Sequence, residues 1–90
     1  MKVANRGAIT DFITKHPDAE GAAKTWLEEA DSAKWQTPHA VKNSFPKASL
    51  LKGGRRFIFN LRGGHYRLDV KIDYERQQCL VVRIGTHQEY

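Results

Sequence analysis

The amino-acid sequence predicts an α+β fold, in which two to three N-terminal helices pack on a three- to four-stranded antiparallel sheet. Up to Pro46 the apolar residues recur at helical spacing, and beyond Pro46 they recur at every second position. The clearest alternation lies in residues 66–74, whose apolar side is Tyr66, Leu68, Val70, Ile72 and Tyr74. The other side carries two cations and two carboxylates, so one face of this strand is expected to cover a core and the other to remain open.

The first half of the chain contains the helical patterns. Residues 6–16 predict a helix that Asn5 caps and that ends before Pro17. Residues 18–33 then follow the i, i+3, i+4, i+7 rule with a row of alanines and Trp26. At this spacing we expect the two tryptophans of the chain to be core residues rather than base-stacking platforms.

A short helix and a set of strands complete the fold. Thr37-Pro38 is a typical helix start and predicts a helix over residues 39–43. Four strands are predicted at residues 49–51, 56–61, 66–74 and 79–84, and a short edge strand is expected at residues 2–4. Short connections between consecutive strands predict an antiparallel meander. In the last strand, alternation is expected to place Arg83 opposite a core-facing set of Leu80, Val82 and Ile84.

Composition limits what the chain can be. Ninety residues predict one domain over residues 1–90, and an apolar fraction of 40% predicts a packed core. Cys79 is the only cysteine, so the sequence offers neither a disulfide nor a cysteine-based zinc site. The apolar runs are too short for a signal peptide or a membrane span, and we expect a cytoplasmic protein with no membrane partner.

The net charge of +5 is unevenly distributed along the chain. Residues 1–31 carry four cations and six carboxylates, a net charge of −2, which leaves +7 for residues 32–90. A basic sheet half joined to a mildly acidic helical half favours a polyanionic partner that approaches one side. A merely solubilising surface is the alternative interpretation.

Arginines are the first candidate site residues. Arg55 and Arg56 enter the second of the four strands, Arg67 lies on the polar side of the third, and Arg83 lies in the fourth. Hairpin pairing is expected to bring Arg67 and Arg83 close together, with Lys71 further along the same face. Stacked cations repel one another, so a sheet that gathers them usually holds an anion. Alternatively, they pair with carboxylates, for which the candidates are Asp69, Asp73 and Glu89.

The segment after the last strand adds an imidazole, a carboxylate and a phenol, from His87, Glu89 and Tyr90. RNA can be cut by its own 2′-hydroxyl, given a base or oriented acceptor, a cation for the phosphorane and an acid for the 5′-oxygen. Arginine supplies the charge without a metal, while His87 and Tyr90 are expected to share proton transfer and positioning. The residues expected to bind the RNA are Lys52, Arg55, Arg56 and Lys71.

Other chemistries have less support in the sequence. No metal or other cofactor is expected, because no carboxylate cluster accompanies the four scattered histidines, His16, His39, His65 and His87. The glycine pairs lie between strands, and no GxxxxGK[ST] motif leads from a strand into a helix. Nucleotide hydrolysis is therefore not indicated.

Three stretches of the sequence resemble the toxins of the HigB branch of the RelE-like superfamily. They are RRFIFNLRGGHYRLDVKIDYERQQCLVVRIGTHQEY, KHPDAEGAAKTWLEEADSAKW and TPHAVKNSFPKAS, which together cover nearly the whole chain. Members of this family typically show a V/I-F-N segment, a G-N-x-Y-R-L strand start and a terminal T-H-x-E-Y. This chain has His65 where the family usually has asparagine.

The resemblance implies a RelE-like fold and a ribosome-dependent mRNA endoribonuclease. It further implies that the toxin acts on mRNA in the ribosomal A site and is paired with a helix-turn-helix antitoxin of the HigA-like kind. By position, Arg67 matches the arginine of the Y-R-L element, and the tail motif is matched by His87, Glu89 and Tyr90.

Three functional classes stay open from the sequence. The first is a metal-independent mRNA-cleaving toxin, which the His-x-x-Tyr tail favours. The second is a non-catalytic module that binds RNA or the ribosome through the basic sheet. The third is a toxin of the same fold with another target, such as a topoisomerase. Growth arrest with intact mRNA would favour the third, and ribosome binding without cleavage would favour the second.

Overall fold

The computed structural model describes residues 1–51 and 53–89, with the backbone alone described for Glu89. The helices within those residues are α1 (Arg6–Lys15), α2 (Glu20–Ser32) and α3 (Pro38–Ser44). The strands are β1 (Lys2–Ala4), β2 (Ser49–Leu50), β3 (Arg56–Leu61), β4 (Tyr66–Asp73) and β5 (Gln78–Thr86). Short 3-10 turns occupy Pro17–Ala19, Arg62–Gly64 and His87–Glu89.

The strands form one sheet in the order β1-β5-β4-β3-β2. Strands β2 to β5 are an antiparallel meander, and β1 adds to the outer edge of β5 in parallel. The predicted α+β class and the meander are confirmed. The edge strand expected at residues 2–4 is present as β1. With the two-residue β2 at the other edge, the described sheet has five strands, more than the three or four of the predicted fold class.

The core lies between the helices and one face of the sheet. Leu68, Val70 and Ile72 of β4 are fully buried there, as their alternation predicted. From α2, the buried ring of Trp26 meets Phe59 edge-on with 5.4 Å between ring centroids. Trp35 is also buried, so the prediction that both tryptophans are core residues is confirmed. Within the described residues, no helix is both long and apolar enough to span a membrane.

The two helix starts behave differently. Thr37 caps α3 as predicted, since its Oγ1 accepts a hydrogen bond of 3.2 Å from the backbone N–H of Ala40. Asn5 precedes α1 in the left-handed region, with φ of 64°, and makes no side-chain cap, so that prediction is wrong. Its Nδ2 instead donates to the carbonyl oxygen of Val81 at 2.9 Å. The pairing of β1 with β5 stops one residue earlier, which puts this β5 carbonyl within reach.

The expected facing of β5 is also partly wrong. Cys79 and Val81 are buried, whereas Leu80 and Val82 are 45% and 44% exposed. The cause is a β-bulge, because β4 pairs consecutive residues with Arg83 and Val81 and leaves Val82 without an opposite residue. The bulge reverses the alternation of β5 at that point, which a sequence pattern with a strict period of two does not reveal.

This register makes a prediction about two adjacent valines. Val81→Ala should lower the free energy of unfolding by about 2 kcal/mol, because it removes two buried methyl groups from the core. Val82→Ala is the matched control and should change it by less than about 0.5 kcal/mol, because that side chain is exposed. Urea unfolding of the two variants measures the difference. Equal losses, or a larger loss at Val82, would place the bulge elsewhere.

Candidate active site

The face of the sheet that points away from the helices carries the charged residues of β3, β4 and β5. Since the apolar residues of β4 are buried on the helix side, their neighbours in the strand point the other way. We call this surface the open face and define it by Arg56, Ile58, Asn60, Arg67, Asp69, Lys71, Asp73, Leu80 and Arg83. Four of these nine residues are cations and two are carboxylates, so the open face carries a net positive charge.

Strand register arranges the open face in rows. Arg67 lies between Asn60 of β3 and Gly85 of β5. In the next row, Asp69 lies between Ile58 and Arg83. The two arginines are therefore diagonal neighbours, a relation that separates residues by about 7–8 Å. The sequence prediction that hairpin pairing brings these arginines near each other agrees with this register.

Asp69 is the only buried charged residue among the described ones, at 6% exposure. The guanidinium of Arg56 donates two hydrogen bonds to the Asp69 carboxylate, from Nε to Oδ1 at 3.1 Å and from Nη2 to Oδ2. A carboxylate held in this way is satisfied and charge-compensated. For Arg56, the alternative that the sequence left open, pairing with a nearby carboxylate, is thus the arrangement in the structure.

The remaining predicted RNA contacts lie towards the other end of the sheet. Arg55 donates two hydrogen bonds of 3.1 Å to Glu75, and this bidentate contact holds the pKa of the Glu75 carboxyl at about 2. Lys71 is exposed and lies beside Asp73 on the rim of a shallow depression. Lys52 lies outside the described residues. Of these four predicted contacts, two are therefore occupied by carboxylates and one is open to solvent.

Arg67 differs from Arg55 and Arg56. Its Nε is buried and has no hydrogen-bond partner among the described groups, and no ion pair links it to a carboxylate whose position is described. A buried donor left unsatisfied costs about 1–3 kcal/mol. Its neighbour in β5 is Gly85, which has no side chain to fill the space beside the guanidinium. An anionic oxygen placed there would satisfy the donor.

His87 lies just beyond the row that contains Arg67. It begins the 3-10 turn after β5, and its backbone N–H donates to the carbonyl oxygen of His65 at 3.1 Å. Both residues line a cleft of about 590 Å³ at this end of the sheet. The side chains on the walls of this histidine cleft include His16, Asp18, Arg62, His65, Tyr66 and His87.

Three of the four histidines, which are scattered in the sequence, lie together in this cleft. His16 ends α1, His65 ends the β3–β4 turn and His87 follows β5, and these three points meet at one end of the sheet. The pairing of β4 with β5 accounts for part of this convergence. Tyr66 and Thr86 are cross-strand partners, so the adjacent residues His65 and His87 must lie close together. Within residues 1–51 and 53–89, no three histidine, cysteine or acidic side chains form a group able to hold a metal ion.

The carboxylate of Asp18 contacts two other residues of the cleft wall. Asp18 accepts a hydrogen bond of 2.6 Å from the Tyr66 hydroxyl and pairs with Nη1 of Arg62 at 2.6 Å. The Tyr66 hydrogen bond, with a smaller contribution from the charge of Arg62, lowers the pKa of the Asp18 carboxyl. The same hydrogen bond raises the pKa of the Tyr66 phenol. Tyr66 therefore stays a neutral donor to an ionised carboxylate at neutral pH.

Arg83 reaches a second surface at the same end of the sheet. It lines a groove of about 540 Å³ between α1 and β5, together with Asp11, Lys15 and His16. Tyr90, the last predicted site residue, lies outside the described residues. The structure therefore places Arg67 and His87 at one end of the sheet, and it places Arg83 in the row between that of Arg67 and that of Arg56.

Fold and site together define a class of small α+β protein, with a helix-covered antiparallel sheet, a cationic open face and a histidine cleft at one end. The model of the HigB toxin family, described as a RelE-like toxic component of a toxin–antitoxin system, matches residues 19–90. The chain belongs to the HigB toxin family.

Curated relatives agree with this assignment. The "mRNA interferase toxin HigB" of Escherichia coli strain K12 is 23% identical over 91 aligned residues, which cover 100% of this chain and 88% of the relative. Proteins named "mRNA interferase HigB" from Escherichia coli O157:H7 and from Shigella flexneri match with the same identity and coverage. The likeness spans the helices as well as the sheet.

The contact between Tyr66 and Asp18 makes a prediction about pH. Because Asp18 has a lowered pKa in the folded chain, its hydrogen bond contributes stability above the ordinary carboxyl pKa of about 4, and this contribution is lost as the pH falls through the folded value. Tyr66→Phe should therefore cost more free energy of unfolding at pH 7 than at pH 3. Urea unfolding at both pH values measures this.

Tyr74→Phe is the matched control for that measurement. The Tyr74 hydroxyl donates to a neutral acceptor, the carbonyl oxygen of Gly54, at 2.8 Å. Its loss should cost the same at pH 7 and pH 3. If the two phenylalanine variants show the same dependence on pH, the Asp18 contact does not form in solution.

Proposed function

We propose that this toxin cleaves mRNA in the ribosomal A site by promoting attack of the RNA's own 2′-hydroxyl on the adjacent phosphate, without a metal ion. The observation that carries the proposal is the buried Nε of Arg67, which has no hydrogen-bond partner among the described residues and lies on the basic open face, at the end of the sheet that also holds His87. The names of the curated relatives, mRNA interferases, support mRNA as the target. On this proposal the toxin acts in the cytoplasm, where ribosomes hold mRNA.

The proposed chemistry assigns a role to each group. Arg67 and Arg83 bind the scissile phosphate, and their charge stabilises the phosphorane as negative charge grows on its oxygens. His87 and Tyr90 share the transfer of a proton from the 2′-hydroxyl and to the departing 5′-oxygen, and which of them is the base stays open. Because arginine supplies the positive charge, the reaction needs no bound cation.

RNA binding is proposed to extend along the open face from the scissile phosphate. Lys71 is exposed there and free to approach a second phosphate, and Lys52 is expected to add to it. Arg55 and Arg56 remain predicted contacts, but each already binds a carboxylate and would share its charge between that partner and RNA. We therefore expect Lys71 to contribute more to RNA affinity than either of them.

The family implies a second partner, an antitoxin. We propose that it is a helix-turn-helix protein whose acidic or amphipathic segment covers the basic half of the toxin, because the excess of positive charge lies in residues 32–90. Covering the open face would block Arg67 and Arg83 together. The toxin would then be inhibited by occlusion of the site that holds the phosphate.

The central test of the mechanism is Arg67→Ala. It removes the charge that stabilises the phosphorane, so the cleavage rate should fall by on the order of 10² or more. The side chain projects from the open face, so the free energy of unfolding should change little. Arg76→Ala is the matched control, because Arg76 is an exposed arginine in the turn at the opposite end of β4, and it should cleave normally.

The readout is primer extension on mRNA from cells that express each variant, with purified ribosomes as a second assay. Cleavage should persist in EDTA and leave a 2′,3′-cyclic phosphate. His87→Ala should lower the rate while ribosome binding stays close to normal, since His87 acts after the substrate is bound. Undiminished cleavage by both Arg67→Ala and His87→Ala would move the active site to another surface.

The partner proposal is tested by co-expression with the neighbouring reading frame. The two proteins should co-purify, the complex should not cleave mRNA, and added salt should weaken it because part of the contact is electrostatic. A toxin that is equally active with and without its genetic neighbour would contradict the proposal. Binding that is unaffected by salt would contradict its electrostatic part.

A further inference from the structure

The turn between β3 and β4 has a backbone that needs an external restraint. Its first three residues lie at positive φ, with values of 53° for Arg62, 65° for Gly63 and 94° for Gly64. Glycine adopts such angles freely, but arginine does so at a cost because its Cβ crowds the following carbonyl. A contact from outside the turn can offset this cost at Arg62.

Asp18 provides that restraint from the helix layer. Its two carboxylate oxygens bind different ends of the turn, because Oδ2 pairs with Arg62 at 2.6 Å and Oδ1 accepts from Tyr66 at 2.6 Å. One carboxylate thus joins the residue that opens the turn to the residue that begins β4. We call these three residues the Asp18 clasp.

The clasp is itself anchored in the core. Asp18 lies in the short 3-10 turn between α1 and α2, next to the fully buried Ala19. The ring of His16 stacks on Phe12 with 4.3 Å between centroids and lies 5.3 Å from the Tyr66 ring. The position of Asp18 is therefore set by the packing of α1 against the sheet and not by the turn that it holds.

The β3–β4 turn contacts the backbone of His87. Its last backbone contact runs from the N–H of His65 to the carbonyl oxygen of Arg62 at 3.3 Å, and the carbonyl oxygen of His65 accepts the backbone N–H of His87 at 3.1 Å. We propose that Asp18 is a positioning residue for the cleavage reaction, which acts through the β3–β4 turn to fix His87 beside the phosphate held by Arg67. This inference rests on the role proposed for His87.

Asp18 lines the same cleft as His87 but is not one of the residues proposed to bind RNA. Its loss should therefore leave the binding of RNA and ribosome intact. A displaced His87 lowers the rate of the chemical step, because a shift of about 1 Å in a reacting group can cost up to about 10² in rate. The expected signature is a lower kcat with an unchanged KM.

The test compares Asp18→Asn with Asp31→Asn. Asp31 is a matched control, because it also forms an exposed ion pair with an arginine, Arg6, at 2.8 Å, but far from the turn. Two readouts are taken from each full-length variant: steady-state cleavage kinetics on mRNA-programmed ribosomes, and hydrogen exchange of the His87 backbone amide. Exchange of the amide of Val70, which is fully buried in β4, reports on global stability.

Asp18→Asn should lower kcat by about 10-fold, leave KM within about 2-fold, and speed His87 exchange by about 10-fold while the Val70 amide stays protected. Asp31→Asn should change none of these. Tyr66→Phe removes one arm of the clasp and should give a smaller effect of the same kind.

Two results would overturn the inference: unchanged protection of the His87 amide in Asp18→Asn, or equal loss of protection at His87 and Val70, which would make Asp18 a general stabilising residue. Failure of the proposed function is a separate outcome. If His87→Ala cleaves at the wild-type rate, His87 has no catalytic role. The exchange measurement still decides whether Asp18 holds His87 in position.

Discussion

The structure depends on the central position of β4, which is paired on both sides and buried on one face. Leu68, Val70 and Ile72 are each fully shielded from solvent. A shift of its register by one residue would turn these side chains out and bring Arg67 and Lys71 into the core, at a large cost in free energy. Burial of one side of β4 therefore forces its charges onto the open face. The candidate site follows from the core.

The buried carboxylate of Asp69 compensates part of the positive charge on the open face. Asp69 sits in the middle strand, binds Arg56 on one side and lies opposite Arg83 on the other. It offsets the repulsion that a row of cations would otherwise create. Arg67 lies one row closer to the end of the sheet, beside a glycine, and makes no described ion pair. Among the described residues, the buried Nε of Arg67 on this basic surface is therefore left without a hydrogen-bond partner.

The end of the sheet joins the two layers of the fold. The α1–α2 junction, the β3–β4 turn and the segment after β5 meet in the histidine cleft, and Asp18 links the first two. Backbone and side-chain hydrogen bonds thus connect the helix layer to His87 through the β3–β4 turn. On the mechanism proposed above, this connection gives the helix layer a part in positioning His87.

The sequence by itself determined the elements and the faces that local periodicity controls. The helices end within a few residues of the predicted boundaries, β4 buries the predicted side, and Thr37 caps α3 as expected. The resemblance in the RRFIFN, YRLDV and THQEY segments also led to the family that the family model confirms. These features depend on neighbours within about one turn or one hairpin, and so they are written in the local pattern.

Only the tertiary structure decided the rest. The bulge at Val82 depends on how β5 pairs with β4. The side chain of Asn5 donates to the carbonyl oxygen of Val81 and does not cap α1, because the pairing of β1 with β5 brings Asn5 and Val81 together. The pairing of Arg56 with Asp69 and the convergence of His16, His65 and His87 likewise join residues that are distant in sequence. In each case several partners were possible from the sequence. The partner observed is the one that gives the lowest free energy for the whole packed chain.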